Sequence, residues 1–210
     1  MKNWMFNETK NPTIVTKVFD LMGLNLLFIL TCIPIITIGA SLSALYSVTL
    51  KMADADRDYF VVRDYFKSFK RNFIQGSILF GILLTILSLF FLAILVINQF
   101  GTPDTIVSFM VLFLVTMVVL VTLYLFPLLA YYDNKTVVIL KNAIIMAYQQ
   151  MAKSILMFII GLVIAVLPLI NINLGFIWII LAFSLTAYLQ SLILIRIFKS
   201  YAATKIKEEE

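Results

Sequence analysis

Charged residues divide this chain into long apolar runs. Four stretches contain no Asp, Glu, Lys or Arg: residues 21–50, 72–103, 105–132 and 154–195. A membrane-spanning helix needs about 20 predominantly apolar residues, so the last stretch is too long for one crossing. At its centre, Asn171, Asn173 and Gly175 indicate a turn between two helices. The pattern predicts five hydrophobic segments, centred near residues 35, 86, 118, 162 and 185.

The first segment contains a predicted helix break at Pro34, Thr37 and Gly39. Proline removes a backbone donor and glycine relaxes the backbone, and the pieces at 21–33 and 40–50 are each short for a full crossing. Two topologies stay open: one long, broken crossing, or a re-entrant hairpin with both ends on the same side. Such a break can expose backbone carbonyls to a substrate. We favour a kink in which Thr37 bonds to the freed carbonyl, because the chain has no matched second break with Pro and Gly together.

The 16 cations predict the orientation of these segments, because Lys and Arg favour cytoplasmic loops. Three precede the first segment, six lie between the first and second, three between the third and fourth, and four after the fifth. The turns at 98–104 and 171–175 have none. We therefore expect a plasma-membrane protein whose large loops and C-terminus are cytoplasmic. A single crossing by the first segment would place the N-terminal lysines outside, against the rule. A signal peptide cleaved near residues 41–44 is disfavoured, because the loop with six cations would then be exported.

The composition agrees with a membrane protein and excludes several functions. The chain is 62% hydrophobic and 13% charged, whereas soluble domains are about 45–50% apolar and about 25% charged. We predict an all-α, polytopic membrane protein with residues 1–210 in one integral membrane domain. Histidine is absent and Cys32 is the only cysteine, so we expect no catalytic residue, metal or cofactor. The cations form no nucleic-acid-binding motif, and we expect no nucleic-acid partner.

The first large loop has the pattern of an amphipathic helix. Its apolar side recurs at steps of three and four residues: Tyr59, Val62, Phe66, Phe69 and Phe73. Four cations flank the other side: Arg63, Lys67, Lys70 and Arg71. This arrangement is typical of a helix that lies in the membrane interface, with its rings inserted and its cations in contact with lipid head groups.

The second large loop repeats this spacing. Its apolar positions are Val137, Leu140, Ala143, Ile144, Ala147 and Met151. Each loop thus supplies one amphipathic cytoplasmic helix that leads into a helical hairpin, and residues 57–128 and 135–197 could form a weak internal repeat. A simple succession of helices and hairpins would give the same pattern, so this interpretation stays open.

Polar and small residues within the segments have two interpretations each. Asn25, Gln75, Asn98 and Gln190 could line a sugar path, but we favour hydrogen bonds between helices. Gly39, Ser43 and Ser47 recur every four residues and form a candidate helix-packing face for a partner. Asp20 is expected to cap a helix or pair with Lys17 at the membrane edge. We expect no charged side chain deep in a span, which disfavours an ion-coupled transporter. Cys32 is expected to be inert.

The N-terminal part of the sequence resembles a known family. The stretch 24–46, LNLLFILTCIPIITIGASLSALY, and the stretch 64–73, DYFKSFKRNF, are similar to the YesL family, also called the domain of unknown function 624 family. The resemblance implies a bacterial integral membrane protein of about this length with no established activity. It also implies a link with carbohydrate ABC importers, beside whose genes family members are often encoded.

Together these observations predict a protein without catalysis of its own. The leading hypothesis is an accessory or regulatory component of carbohydrate uptake, whose partners are the lipid bilayer and an ABC importer. The alternative is a small permease that works by self-association. A membrane enzyme is disfavoured, because histidine is absent and we expect no buried acid within the spans.

Overall fold

The computed structural model describes residues 13–54, 57–99, 105–170 and 174–209, and within these ranges every regular element is a helix. The α-helices are α1 (Ile14–Thr31), α2 (Ile38–Ala53), α3 (Val61–Arg71), α4 (Phe73–Gln99), α5 (Thr105–Tyr131), α6 (Thr136–Gln149), α7 (Met151–Ile170) and α8 (Leu174–Glu209). A single 3₁₀ turn, Ile35–Thr37, precedes α2. The predicted turns at 98–104 and 171–175 fall largely outside the described residues, but helices end and begin on both sides of each.

Six helices in the described part are long and apolar enough to cross a membrane, which confirms the prediction of a polytopic helical membrane protein. They cover Ile14–Thr31, Ile35–Ala53, Phe73–Val96, Phe109–Tyr131, Met151–Pro168 and Trp178–Tyr201. The sequence pattern predicted five segments, because the first was counted as one. It consists of two helices, and both extend past the charge-free run to include Lys17, Asp20 and Lys51. Because only charge-free residues were counted, the length of each helix was underestimated, and each was judged too short to cross alone.

The break between α1 and α2 is a closed turn. Thr37 donates its hydroxyl hydrogen to the carbonyl oxygens of Thr31 and Pro34, each 2.6 Å away. The backbone N–H of Thr37 also donates to Pro34, and that of Cys32 donates to Phe28 and Ile29. The carbonyl oxygens of Phe28, Ile29 and Thr31 at the end of α1 are thus bonded within the turn, which is the arrangement that a low-dielectric surrounding requires.

Helix α2 is the centre of the bundle, and most of its residues are buried. Helices α1, α3, α4, α5 and α8 all pack against it, whereas α6 packs on α5 and α7 packs on α8. Its small residues make this possible, because Gly39, Ala40, Ser43 and Ala44 let neighbouring backbones approach closely. Large apolar side chains on α4, α5 and α7 remain exposed in the chain alone and would face lipid.

The two loop helices differ from their predicted orientations. Just before α3, the predicted membrane-facing Tyr59 is buried, and its hydroxyl donates to Asp20 of α1 at 2.8 Å. The hydroxyls of Tyr65 and Thr31 are also hydrogen-bonded, so α3 packs along α1 as well as α2. One face of α3 is therefore held by protein contacts, while Phe66 and Phe73 point outwards as expected.

In α6 the buried face is shifted from the predicted one. The buried side chains are Ile139, Ala143, Met146 and Ala147, whereas Val137, Ile144 and Met151 are exposed. This helix has few polar residues, so periodicity alone cannot tell which apolar side contacts protein and which faces lipid. The order short helix, span, span occurs twice, as α3–α4–α5 and α6–α7–α8. The internal repeat itself stays a prediction.

Candidate functional site at the charged end of the bundle

A polar cavity of about 150 Å³ lies where α2, α3 and the end of α5 meet. Its charged lining consists of Lys51, Arg57, Lys67, Arg71 and Asp64. The hydroxyl-bearing residues Ser47 and Ser68 and the ring of Tyr131 also contribute. We call this the charged cavity. Four cations and one carboxylate give its lining a net charge of +3.

Asp64 connects the cavity to the start of α3. Its Oδ1 lies 3.0 Å from the Nζ of Lys51, and its Oδ2 accepts the backbone N–H of Phe60 at 3.0 Å. An acidic side chain in the first turn also interacts favourably with the helix dipole. Asp64 thereby caps α3 and holds the Lys51 ammonium at the cavity wall.

Two contacts, with Asp54 and with the ring of Tyr131, position Arg57. Its Nε lies 3.3 Å from Oδ2 of Asp54, and its guanidinium carbon lies 5.4 Å from the centre of the Tyr131 ring. Asp54 is buried at the C-terminal cap of α2 and also accepts from the Nζ of Lys199 in α8 at 2.7 Å. One carboxylate thus joins α2, the following connection and the C-terminal helix.

Arg71 links the end of α3 to the end of α5. Its Nη2 donates to the carbonyl oxygen of Ala130 at 2.9 Å, and its Nη1 lies 3.2 Å from Oδ1 of Asp133. Lys67 differs from the other three cavity cations, because no carboxylate of the described chain lies within ion-pair distance of it.

Behind the cavity, the buried amide of Asn72 holds three helices together. Its Nδ2 lies 2.6 Å from Ser43 Oγ of α2, 3.2 Å from the Leu129 carbonyl oxygen of α5, and 3.3 Å from Ser68 Oγ of α3. This amide fixes the position of α3 relative to α2 and α5, and therefore the shape of the cavity.

Polar side chains within the spans bind one another across helix interfaces. Asn25 donates to the Ile179 carbonyl oxygen at 2.7 Å and accepts the backbone N–H of Ser184 at 3.1 Å. Gln190 accepts the hydroxyl hydrogen of Tyr46 and donates to the Met157 carbonyl oxygen at 3.1 Å. These are the hydrogen bonds between helices that we favoured. Gln75 makes only a 3.5 Å contact with the Asn134 carbonyl oxygen, and the side chain of Asn98 lies outside the described part.

A second cavity, of about 260 Å³, lies between α2, α5, α7 and α8. Most of its lining is apolar, and its polar groups come from Tyr46, Trp178, Thr186 and Gln190. The indole N–H of Trp178 already donates to the Ile164 carbonyl oxygen at 2.9 Å. Most of the polar atoms at this cavity are thus engaged within the protein.

The structure separates the predicted head-group cations into two pairs. Lys67 and Arg71 line the charged cavity. Arg63 lies over the ring of Phe60, 5.3 Å from its centre, and Lys70 is exposed away from the cavity. Lys51 and Arg57 were not singled out from the sequence, where they served only as topology signals. Their signal in the sequence was their position after the apolar run of α2, in the same loop as the cations of α3.

The predicted helix-packing face lies inside the chain. Gly39 contacts Gly76 of α4, Ser43 contacts Asn72, and Ser47 lines the charged cavity. Gly39 and Ser43 are therefore covered within the chain.

Two further expectations concern single residues. Asp20 binds Tyr59 instead of Lys17, whose Nζ lies 3.4 Å from the Tyr188 hydroxyl. Burial raises the pKa of the Cys32 thiol, with a smaller opposing effect of the Ser41 hydroxyl, and this disfavours the reactive thiolate. Among the described residues, no three acidic or cysteine side chains come together in a way that could hold a metal ion.

The fold and its contacts define a polytopic, all-helical membrane protein with a charged cavity at one end. Residues 21–94 match the model of a family described as "Protein of unknown function, DUF624". This match confirms the resemblance to the YesL family over about a third of the chain, from within α1 to within α4, and it includes every charged residue of the cavity lining. No curated protein and no solved structure matches the chain.

Proposed function

We propose that this protein is a non-catalytic component of the plasma membrane that acts through another protein, as an accessory or regulatory component of carbohydrate uptake. The observation that carries the proposal is the internal pairing of polar groups in the spans. Asn25, Tyr46 and Gln190 satisfy one another or backbone groups across helix interfaces. Such groups stabilise the bundle and do not offer a hydrated path to a sugar.

The charge distribution along the spans also favours an accessory role. Ion-coupled transporters use ionisable groups near the middle of the bilayer. Residues 73–96 and 109–131 contain no charged residue, and Lys17 and Lys51 lie close to the ends of their helices. Asp20 is an exception to the expectation that no charged side chain lies deep in a span, because it is the seventh residue of α1 and is buried. Its carboxylate is engaged within the protein by the Tyr59 hydroxyl. An effect on transport would therefore require a partner that has an energy source of its own.

The link with carbohydrate uptake rests on the family resemblance. Family members are often encoded beside carbohydrate ABC importers, so an importer is the partner that we propose. Contact would be made through the exposed apolar faces of the spans or through the exposed side of α3 or α6, since Gly39 and Ser43 are covered within the chain.

The orientation that we propose has both termini in the cytoplasm. Six crossings return the chain to the side on which it began, so the three N-terminal cations and the four C-terminal cations share one side. The connections at 32–34, 100–104 and 171–173 carry no Lys or Arg and would all face outwards. A hairpin of α1 and α2 thereby removes the conflict with the charge rule that a single crossing creates.

A small oligomeric permease is the second candidate, favoured by the cavity of about 260 Å³ between α2, α5, α7 and α8. Its aromatic and amide lining, from Trp178, Tyr46 and Gln190, is of the kind that binds sugars. The permease hypothesis predicts that purified protein moves sugar alone and that Gln190→Leu abolishes the movement.

The two candidates are separated by transport measurements. We expect cells lacking the gene to take up one oligosaccharide more slowly while glucose uptake is unchanged, and the restored gene to correct the defect. In proteoliposomes that contain only this protein, we expect no uptake of that oligosaccharide above protein-free vesicles. Uptake by the purified protein alone would overturn the accessory function and support the permease.

A further inference from the structure

We propose that the charged cavity binds the phosphate group of a phosphate ester, held by Lys51, Arg57, Lys67 and Arg71. The first argument is charge. The lining carries four cations and one carboxylate. When the neighbouring Asp54, Asp133 and Lys199 are included, cations still exceed carboxylates by two. An anion with two negative charges would balance this excess.

The second argument is that the hydrogen-bond donors are already held in position. Arginine has five N–H groups and lysine has three, so a single ion pair leaves further donors on each. Asp54 holds Arg57, Asp64 holds Lys51, and the Ala130 carbonyl with Asp133 holds Arg71. Their side chains are therefore already ordered, which lowers the entropic cost of binding. Lys67, which has no ion pair in the described chain, supplies an uncommitted ammonium.

The third argument is size and shape. A volume of about 150 Å³ leaves room for a phosphate group. It is far too small for a complete phospholipid, so the rest of such an ester would extend through the mouth of the cavity. Guanidinium groups bind phosphate oxygens in pairs, and the excess of two positive charges is matched by a doubly charged phosphate group better than by a singly charged carboxylate.

Two sources could supply such an ester. One is the head group of an anionic phospholipid, since basic pockets between membrane helices bind such head groups and the rings of Phe66 and Phe73 are exposed on the same stretch of chain. The other is a soluble phosphate ester from the cytoplasm. Both bring the same chemistry to the cavity, and binding measurements distinguish them.

The soluble source is tested with full-length protein in a neutral detergent. Glycerol phosphate and inorganic phosphate are titrated by isothermal calorimetry. Lys67→Gln removes one charge-assisted contact, and we expect it to weaken binding by about tenfold or more. Lys67→Arg should restore most of the affinity. Lys70→Gln is the matched control, because it makes the same change on α3, next to Arg71 in sequence but outside the cavity lining.

The lipid source is tested in nanodiscs. Native mass spectrometry counts the phosphatidylglycerol molecules that stay bound after release from discs of mixed phosphatidylglycerol and phosphatidylcholine. If a head group occupies the cavity, Lys67→Gln should reduce the retained phosphatidylglycerol and Lys70→Gln should not. Unchanged thermal unfolding of Lys67→Gln would show that the loss does not come from misfolding.

Selective loss in either assay supports the proposal and identifies the source. The proposal is wrong if neither phosphate esters nor phosphatidylglycerol bind, or if Lys67→Gln and Lys70→Gln weaken binding equally. It is also wrong if only carboxylate-rich peptides bind. The accessory function is tested by transport, so its failure would be seen separately.

Discussion

Gly39 and Gly76 bring the backbones of α2 and α4 into direct contact. A β-carbon at Gly39 would lie 2.0 Å from the carbonyl oxygen of Gly76, and one at Gly76 would lie 2.8 Å from the backbone nitrogen of Ala40. Neither group can move away without displacing a helix. The crossing of the central helix with α4 therefore depends on the absence of a side chain at both positions.

We expect Gly39→Ala to destabilise the protein by at least about 1–3 kcal/mol, the usual cost of overpacking a tight contact. Gly76→Ala should have an effect in the same direction. Thermal unfolding in detergent, followed by circular dichroism, measures both. Gly81→Ala is the control, because a β-carbon there meets nothing within 4 Å. An equal loss in Gly81→Ala would show that the effect comes from glycine flexibility and not from the contact.

A second prediction concerns the buried amide of Asn72. Asn72→Leu should lower stability by about 1–3 kcal/mol, because Ser43 and the Leu129 carbonyl would lose a buried donor. Gln75→Leu, a similar change one helical turn away, breaks only a 3.5 Å contact and should have little effect. Limited proteolysis of the connection between α2 and α3 provides the measurement. Equal cutting of the two variants would contradict the role given to Asn72.

A third prediction concerns the topology. In a Cys32→Ala background, cysteines at Thr102 and Asn173 should react with a membrane-impermeant thiol reagent added to intact spheroplasts, and cysteines at Asn3, Lys70 and Lys141 should not. The physical reason is that Lys and Arg are concentrated in cytoplasmic loops. Labelling of the Asn3 position from outside would mean that α1 and α2 do not form a hairpin. Labelling at Lys70 would reverse the whole orientation.

A fourth prediction concerns the depth of the turn between α1 and α2. Ile33, Ile35 and Ile36 are 74%, 67% and 71% exposed, and contact with water would be unfavourable for so apolar a turn. The internal hydrogen bonds of Thr37 would allow the turn to lie at the outer edge of the apolar part of the bilayer, just short of the water. A cysteine at Ile35 should then react more slowly with the impermeant reagent than one at Thr102, and normally with a membrane-permeant reagent. Equal rates at both positions would place the turn in water.

A fifth prediction concerns alkaline pH. Burial raises the pKa of Tyr65 to about 12, and the hydrogen bonds to Thr31 and Ser41 oppose this only in part. Because the folded-state pKa lies above the usual value of about 10, the native protein holds this proton more tightly than the unfolded chain. The associated stability is complete below about pH 10 and is lost as the pH rises towards about 12. Tyr65→Phe should flatten the decline in unfolding temperature over this window, and an unchanged slope would contradict the assignment.

The sequence was sufficient for the class of fold and for most helix positions, because charge-free apolar runs of about 20 residues or more are typical of membrane-spanning helices. It failed at α1 and α2, where Lys17, Asp20 and Lys51 extend the helices beyond the apolar run. Snorkelling makes Lys17 and Lys51 tolerable near the ends of their helices, and the hydrogen bond from Tyr59 stabilises the buried Asp20 further inside α1. A rule based on charge alone cannot foresee them.

The candidate site could be predicted only in part. Periodicity identified Lys67 and Arg71 as cations of an amphipathic helix, but it could not show that Lys51 and Arg57 face them. That arrangement depends on how α3 packs against α2, and the packing is set by Asp64 and Asn72. Contacts between separate helices are tertiary information, and one sequence does not contain a local signal for them.

The polar partners of the central helix also impose an order on assembly. Tyr46 and Asp54 bind Gln190 and Lys199, and Asn25 of α1 binds the backbone of Ser184, so each bond joins the beginning of the chain to its last helix. During synthesis, α1 and α2 enter the bilayer long before α8 is made. Their polar groups cannot form these contacts with α8 until the intervening helices have been inserted. The bundle can close only when its last helix arrives, so a chain that is cut short before α8 would leave the centre of the fold exposed to the machinery that removes unfinished membrane proteins.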